Sequence, residues 1–310
     1  MLSRRGIRIK AMKRLYALSR VESLTMRSAI NAYQKSIADT YDLYLFCVYS
    51  LAKICRMSTD DEEKRKSKYL PTEEDKIFTS KLYNNPIIQS IDLSKELSKR
   101  AEKGYYSNVA TKDFASKIYS GFCKEEAYQS YLAKNSTDQE HLEILLELFR
   151  FCRKNEYFND VMEDHSINWI DDKSLVIGTV KKTLKALPIE ESVFQKHLPD
   201  DEIVTDFGEL LLKSTYEDDD ELLEIVKPVL DNWDHERLAV IDMILIKMAL
   251  IEFINFETIP VKVTLNEYVE ISKIYSTPKS KEFVNGILDK LLKQLQSENK
   301  IEKEGRGLDS

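Results

Sequence analysis

The stretch Pro260 to Leu292, PVKVTLNEYVEISKIYSTPKSKEFVNGILDKLL, reads as two short helices with a tight connection. Thr264 is placed to cap the first, and Leu265, Val269 and Ile271 sit near one face of it. Thr277-Pro278 predicts the start of the second: a hydroxyl at N-cap, then a proline at N1 whose missing N–H would be unpaired anyway. Val284, Ile287, Leu288, Leu291, Leu292 and Leu295 follow at helical spacing as a buried stripe. Gly286 falls inside that helix, where it costs about 1 kcal/mol relative to alanine. The expected compensation is close approach by a neighbouring helix.

The same helical character extends outward. Only 8 Gly and 7 Pro interrupt 310 residues, and 43% of the chain is apolar, so an all-α protein with a substantial core is predicted. The net charge of −7 argues against general nucleic-acid binding, but it is unevenly spread. Residues 1–20 hold Arg4, Arg5, Arg8, Lys10, Lys13, Arg14 and Arg20 without one acid. Cys47, Cys55, Cys123 and Cys152 lack Cys-x-x-Cys spacing, so reduced core thiols in a cytosolic protein are expected. No apolar run suits a signal peptide or a membrane span, and Leu238–Ile254, broken by Asp242, Lys247 and Glu252, reads as a buried helix.

Along the chain, residues 3–20 predict a helix with Ile7, Ala11, Leu15 and Leu18 on its apolar stripe. Arginines in its first turn oppose the helix dipole, so they are not placed for helix stability. A polyanion contact and a solvated basic face both fit. Residues 26–57 predict a long amphipathic helix whose tyrosines form a packing stripe rather than a platform for bases. Residues 58–76 read as a mobile connection. Helical segments are expected at 75–84, 87–103, 109–133, 138–157, 173–187 and 236–254. Asp218-Asp219-Asp220 reads as an acidic first turn, not a metal site. The polar tail from Glu298 is expected to be disordered.

The opening stretch resembles the C-terminal signature of the NusB family of bacterial transcription antitermination factors. The match runs over Ile259-Pro260, Lys262-Val263, Asn266-Glu267, Val269-Glu270, Lys273, Ser280 and Phe283-Val284-Asn285-Gly286 through Leu288-Asp289-Lys290. Arg4-Arg5, Arg8 and Lys13-Arg14-Leu15-Tyr16-Ala17 resemble the family's arginine-rich opening and its Leu-Tyr helix, with Gly6 where some members carry another arginine. Asp242, Leu245-Ile246, Ala249-Leu250 and Glu252 resemble its central helix. Residues between about 36 and 200 match nothing in the family. The resemblance therefore implies two packed three-helix bundles with an inserted helical region. The boundaries are a basic first helix at 1–35, an added region of unknown role at 36–200, a C-terminal bundle at 201–297 and a tail at 298–310.

The resemblance also implies a function. NusB proteins bind the single-stranded boxA element of nascent ribosomal RNA together with the small-subunit ribosomal protein NusE, within an antitermination complex on RNA polymerase. The implied RNA contacts are Arg4, Arg5, Arg8, Lys10 and Lys13, with Lys279, Lys281 and Phe283 at the start of the last helix. Glu282 stands where the family can carry a lysine, and Lys279 where an acid can occur. The implied partner face includes Tyr16 and Asp242, and a homodimer through that face is a further implied state. The alternative is a protein-binding scaffold that keeps the fold without sequence-specific RNA binding. Neither reading needs a cofactor, a metal or a catalytic residue. His141, His165, His197 and His235 are scattered, no phosphate loop or nucleophile elbow is present, and Glu267 and Glu270 read as a solvated or salt-bridged face. A cytoplasmic bacterial protein is expected.

Overall fold

The computed structural model describes residues 2–104, 106–189, 191–230 and 238–304. Among these the regular elements are all helices. They fall into two compact units. A terminal unit joins Leu2–Ile37 to Pro199–Ser310, and a middle unit holds Ala38–Leu198.

The terminal unit contains α1 (Arg4–Arg20) and the first residues of α2 (Met26–Lys66). The middle unit continues α2 and adds α3 (Glu73–Ile77), α4 (Pro86–Asp92), α5 (Lys95–Lys103), α6 (Tyr106–Val109), α7 (Lys112–Phe122), α8 (Glu126–Leu132), α9 (Asp138–Lys154), α10 (Glu156–His165) and α11 (Trp169–Ala186). The terminal unit resumes with a π-helical stretch, Glu202–Glu209, then α12 (Leu210–Glu217), α13 (Asp219–Val226), α14 (Val240–Asn255), α15 (Val261–Tyr275) and α16 (Ser280–Ser297).

In the middle unit the core is built on α2. Leu45, Phe46, Val48 and Cys55 are buried against Phe114 and Ile118 of α7, Leu148 and Phe149 of α9, and Val176 and Val180 of α11. The tyrosines of α2 are packing residues. Tyr41 and Tyr44 are buried and donate or share bonds with the Phe194 carbonyl at 2.9 Å and the Thr183 hydroxyl at 2.7 Å. Burial pushes the Cys47 thiol up to about 12, which leaves it an unreactive core group. Residues 58–66 are not a mobile connection: α2 runs on to Lys66. Asp61 to Arg65 at 3.0 Å and Glu62 to Lys66 at 2.5 Å pair one turn apart and support the extra turns.

In the terminal unit α14 is buried on nearly every side, with Leu245, Met248, Ala249, Leu250 and Phe253 at zero exposure. It packs on α1, α12, α15 and α16, and α15 and α16 pack on each other. Helix α15 starts at Val261 behind an extended Pro260, not at Thr264. The Thr264 hydroxyl instead donates to Glu252 at 2.7 Å. Helix α16 starts at Ser280, with Thr277-Pro278 in the turn before it, and the Thr277 N–H donates to the Ser280 hydroxyl at 3.1 Å.

The glycine expectation is also corrected. A Cβ on Gly286 would meet nothing within 4 Å, so no neighbouring helix needs the space. Gly286→Ala should therefore stabilise the terminal unit by about 0.5–1 kcal/mol, the helix-propensity difference, read as a higher urea midpoint. A lower midpoint would show that α16 needs a glycine for a reason the packing does not reveal.

The tail is docked as far as it is described. Lys303 Nζ donates to the Glu252 and Phe256 carbonyls at 3.0 and 2.8 Å, at the end of α14, and the Glu304 N–H donates to the Glu257 carbonyl. The first of these bonds satisfies a carbonyl in the last turn of α14, and the other two fasten the tail to the loop that follows. Burial pulls the Lys303 ammonium down to about 8. Residues 305–310 and His235 lie outside the described residues.

Candidate nucleic-acid interface

Ser3 caps α1 by accepting from the Gly6 N–H at 3.3 Å, and the first turn contains no acid. The helix buries Ile7, Arg8, Lys10, Ala11, Met12 and Leu15. Two of the basic residues expected at the RNA are thus on the inner face.

Arg8 is the clearest correction. It is 2% exposed, and its Nε and terminal nitrogen donate to the two Glu252 carboxylate oxygens at 2.8 and 2.6 Å. Glu252 is fully buried and also accepts from Thr264 and from the Tyr268 hydroxyl at 3.0 Å. Burial alone would lower the Arg8 pKa, but the bonds and charge of Glu252 outweigh it and the net shift is upward. Arg8 is a core cation and cannot reach a phosphate. Lys10 is likewise buried, at 6% exposure, because it shares the inward face of the helix.

The remaining basic residues stay at the surface. Arg4 is exposed, with its guanidinium 5.8 Å from the Phe207 ring. Arg5 is half-exposed and forks onto Glu267 at 2.8 and 3.1 Å. Glu267 is thereby a partner of Arg5, not half of an acid/base pair. Lys13 lies 5.5 Å over the ring of Tyr275, the last residue of α15. This contact brings the middle of α1 to the α15–α16 turn, where Lys279 is exposed. Lys281 and Phe283 follow on the first turn of α16 and are half-buried. Glu282 is exposed beside them.

The two expected partner contacts part company. Tyr16 is 40% exposed, with Arg20 against its ring. Asp242 is buried at 4% exposure, so it is not a surface contact. It accepts from the Ser280 hydroxyl at 2.7 Å and ties the start of α14 to the start of α16. Beside the Tyr16 turn, a cavity of about 390 Å³ opens between α1, α12 and α14. Leu15, Leu18, Tyr216 and Ile244 line it, with Lys247 bonded to Asp219 at 2.6 Å. Leu18 was visible in the sequence only as part of the apolar stripe. Among the described residues no group of three His, Cys, Asp or Glu is placed to hold a metal ion. Among the described residues no helix is long and apolar enough to cross a membrane.

Residues 176–293 match the NusB family model. A transcription antitermination protein NusB from Salinibacter ruber is 42% identical over 111 residues, which are 36% of this chain and 69% of that protein. The chain belongs to the NusB family. Proteins of the same name from Chloroherpeton thalassium and Thermodesulfovibrio yellowstonii are 46% and 37% identical over 78 and 97 residues. Those matches cover 37% and 64% of the relatives, and 25% and 31% of this chain. No solved structure matches. The relatives are named transcription antitermination proteins, and the NusB family is non-catalytic.

Proposed function

We propose that the terminal unit binds boxA-type single-stranded RNA of nascent ribosomal transcripts together with the small-subunit protein NusE, as part of an antitermination complex on RNA polymerase in the bacterial cytoplasm. The observation that supports it most is the Lys13–Tyr275 contact, which groups cations of α1 with Lys279 at the start of α16. Arg4, Arg5, Lys13, Lys279 and Lys281 supply phosphate contacts, and Phe283 a ring for a base. Tyr16 and the cavity beside it form the face for NusE. In this reading α14, α15 and α16 are one of the family's two three-helix bundles, and the added region lies within residues 38–175, ahead of the family match at 176–293. A second copy of the chain would compete for the NusE face.

Replacing Arg4 and Arg5 with alanine tests the reading without touching the core. Each lost phosphate contact lowers the slope of log affinity against log salt by about 0.7 on a single strand, so the pair should lower it by about 1.4. The measurement is fluorescence anisotropy of a labelled boxA RNA with NusE present. Equal affinity of the unsubstituted protein for boxA and a scrambled strand would favour the scaffold alternative and defeat this one.

A further inference from the structure

We infer that the middle unit carries a second anion site, a pocket between α2 and α7 that takes a phosphodiester of single-stranded RNA. Its identity as an RNA site, though not as an anion site, rests on the reading above.

The pocket has a volume of about 290 Å³. Tyr49, Lys53, Arg56 and Asp60 line it from α2, at spacings of four, three and four, so they share one helix face. Ser107 and Lys112 line the opposite wall. The charges do not cancel. Lys112 and Asp60 neutralise one another at 2.6 Å. Lys53 has no carboxylate partner among the described residues, and its ammonium rests 5.0 Å over the Tyr49 ring. Arg56 is exposed and among the described residues its one carboxylate neighbour is Asp92, at 3.8 Å, while its guanidinium lies 5.6 Å from the Tyr83 ring. A guanidinium has five N–H donors, so most of those on Arg56 face solvent unused.

Further along, Arg65, Lys66 and Lys68 each have a carboxylate within 3.0 Å. Those three cations are paired, whereas Lys53 and Arg56 have no close carboxylate among the described residues and stand beside a concavity. A phosphodiester fits this set. Arginine offers a planar fork, lysine a compact charge, and Ser107 an exposed hydroxyl. Tyr49 lines the pocket beneath Lys53, so its ring can meet a flanking base once the ammonium turns to the phosphate, a contact that free phosphate would not use.

The test uses the full chain and a single-stranded RNA carrying 4-thiouridine, crosslinked by light and mapped by mass spectrometry. Crosslinks are expected on peptides spanning 44–60 and 106–116. They should persist in Arg4→Ala/Arg5→Ala and vanish in Lys53→Gln/Arg56→Gln. The latter pair should also weaken oligouridylate binding about tenfold at low salt and lower the salt slope by about 1.4. Circular dichroism should not change, because these two side chains make no close hydrogen bonds among the described residues. Crosslinks confined to the terminal unit would overturn this site while leaving the boxA reading intact. Binding of uridine monophosphate or inorganic phosphate, lost in Lys53→Gln/Arg56→Gln but without strand binding, would overturn the RNA assignment. No binding of any of these probes would overturn the site altogether.

Discussion

Arg8→Ala should lower the stability of the terminal unit by about 3–5 kcal/mol, the cost of removing one partner of a buried ion pair. The guanidinium and Glu252 are 2% and 0% exposed and share two bonds of 2.8 and 2.6 Å. Without Arg8, Glu252 keeps the Thr264 and Tyr268 hydroxyls, which cannot neutralise a carboxylate in a dry site. Arg8→Lys should recover only part of the loss, since a point charge replaces a fork that meets both oxygens. Burial, with the Glu252 charge added, holds the Tyr268 hydroxyl pKa well above its ordinary value, so it stays a neutral donor to the carboxylate and supplies no compensating charge. Hydrogen exchange at α14 and α15 measures the effect where the network lies. Arg4→Ala, at an exposed position, should leave the same amides within about 0.5 kcal/mol. If Arg8→Ala weakened RNA binding with exchange unaltered, Arg8 would be an RNA contact after all and the core assignment would be wrong.

Arg8 also marks the limit of what could be read without coordinates. Apolar periodicity placed α1 and the interior of α14, because such stripes are local and repeat every turn. The burial of a charge is not local. Arg8 finds its acid 244 residues away, and Asp242 finds Ser280 38 residues away. A basic run therefore looked like one surface, whereas the helix turns Arg8 and Lys10 inward and leaves Arg4 and Arg5 outward. Thr264 misled for the same reason: its hydroxyl fits a cap by local rules, but a carboxylate on α14 takes it. The run 58–66 is different, since Asp61–Arg65 and Glu62–Lys66 stand at helical spacing in the sequence itself. There the signal was present, and charge density outweighed it.

Gly208→Ala should destabilise the same unit by about 1–3 kcal/mol or more, although alanine is the better helix former. An added Cβ would stand 1.9 Å from the Tyr33 hydroxyl oxygen and 2.4 Å from a methyl of Ile7. Both neighbours are fully buried. The Tyr33 hydroxyl is also committed, donating to the Val204 carbonyl at 2.9 Å within the π-helical stretch that carries Gly208. Relief therefore requires both α1, which holds Ile7, and α2, which holds Tyr33, to move away from that stretch. The position is a matter of space, and it contrasts with Gly286, where the same substitution meets nothing. Urea unfolding of the two alanine variants should give shifts of opposite sign. Tyr33→Phe in the Gly208→Ala background removes the closest clashing atom at the loss of about 1 kcal/mol of hydrogen bonding. The double variant should consequently be more stable than Gly208→Ala alone. Equal stability of the two would mean that the methyl of Ile7, not the Tyr33 hydroxyl, sets the distance between α1 and the π-helical stretch.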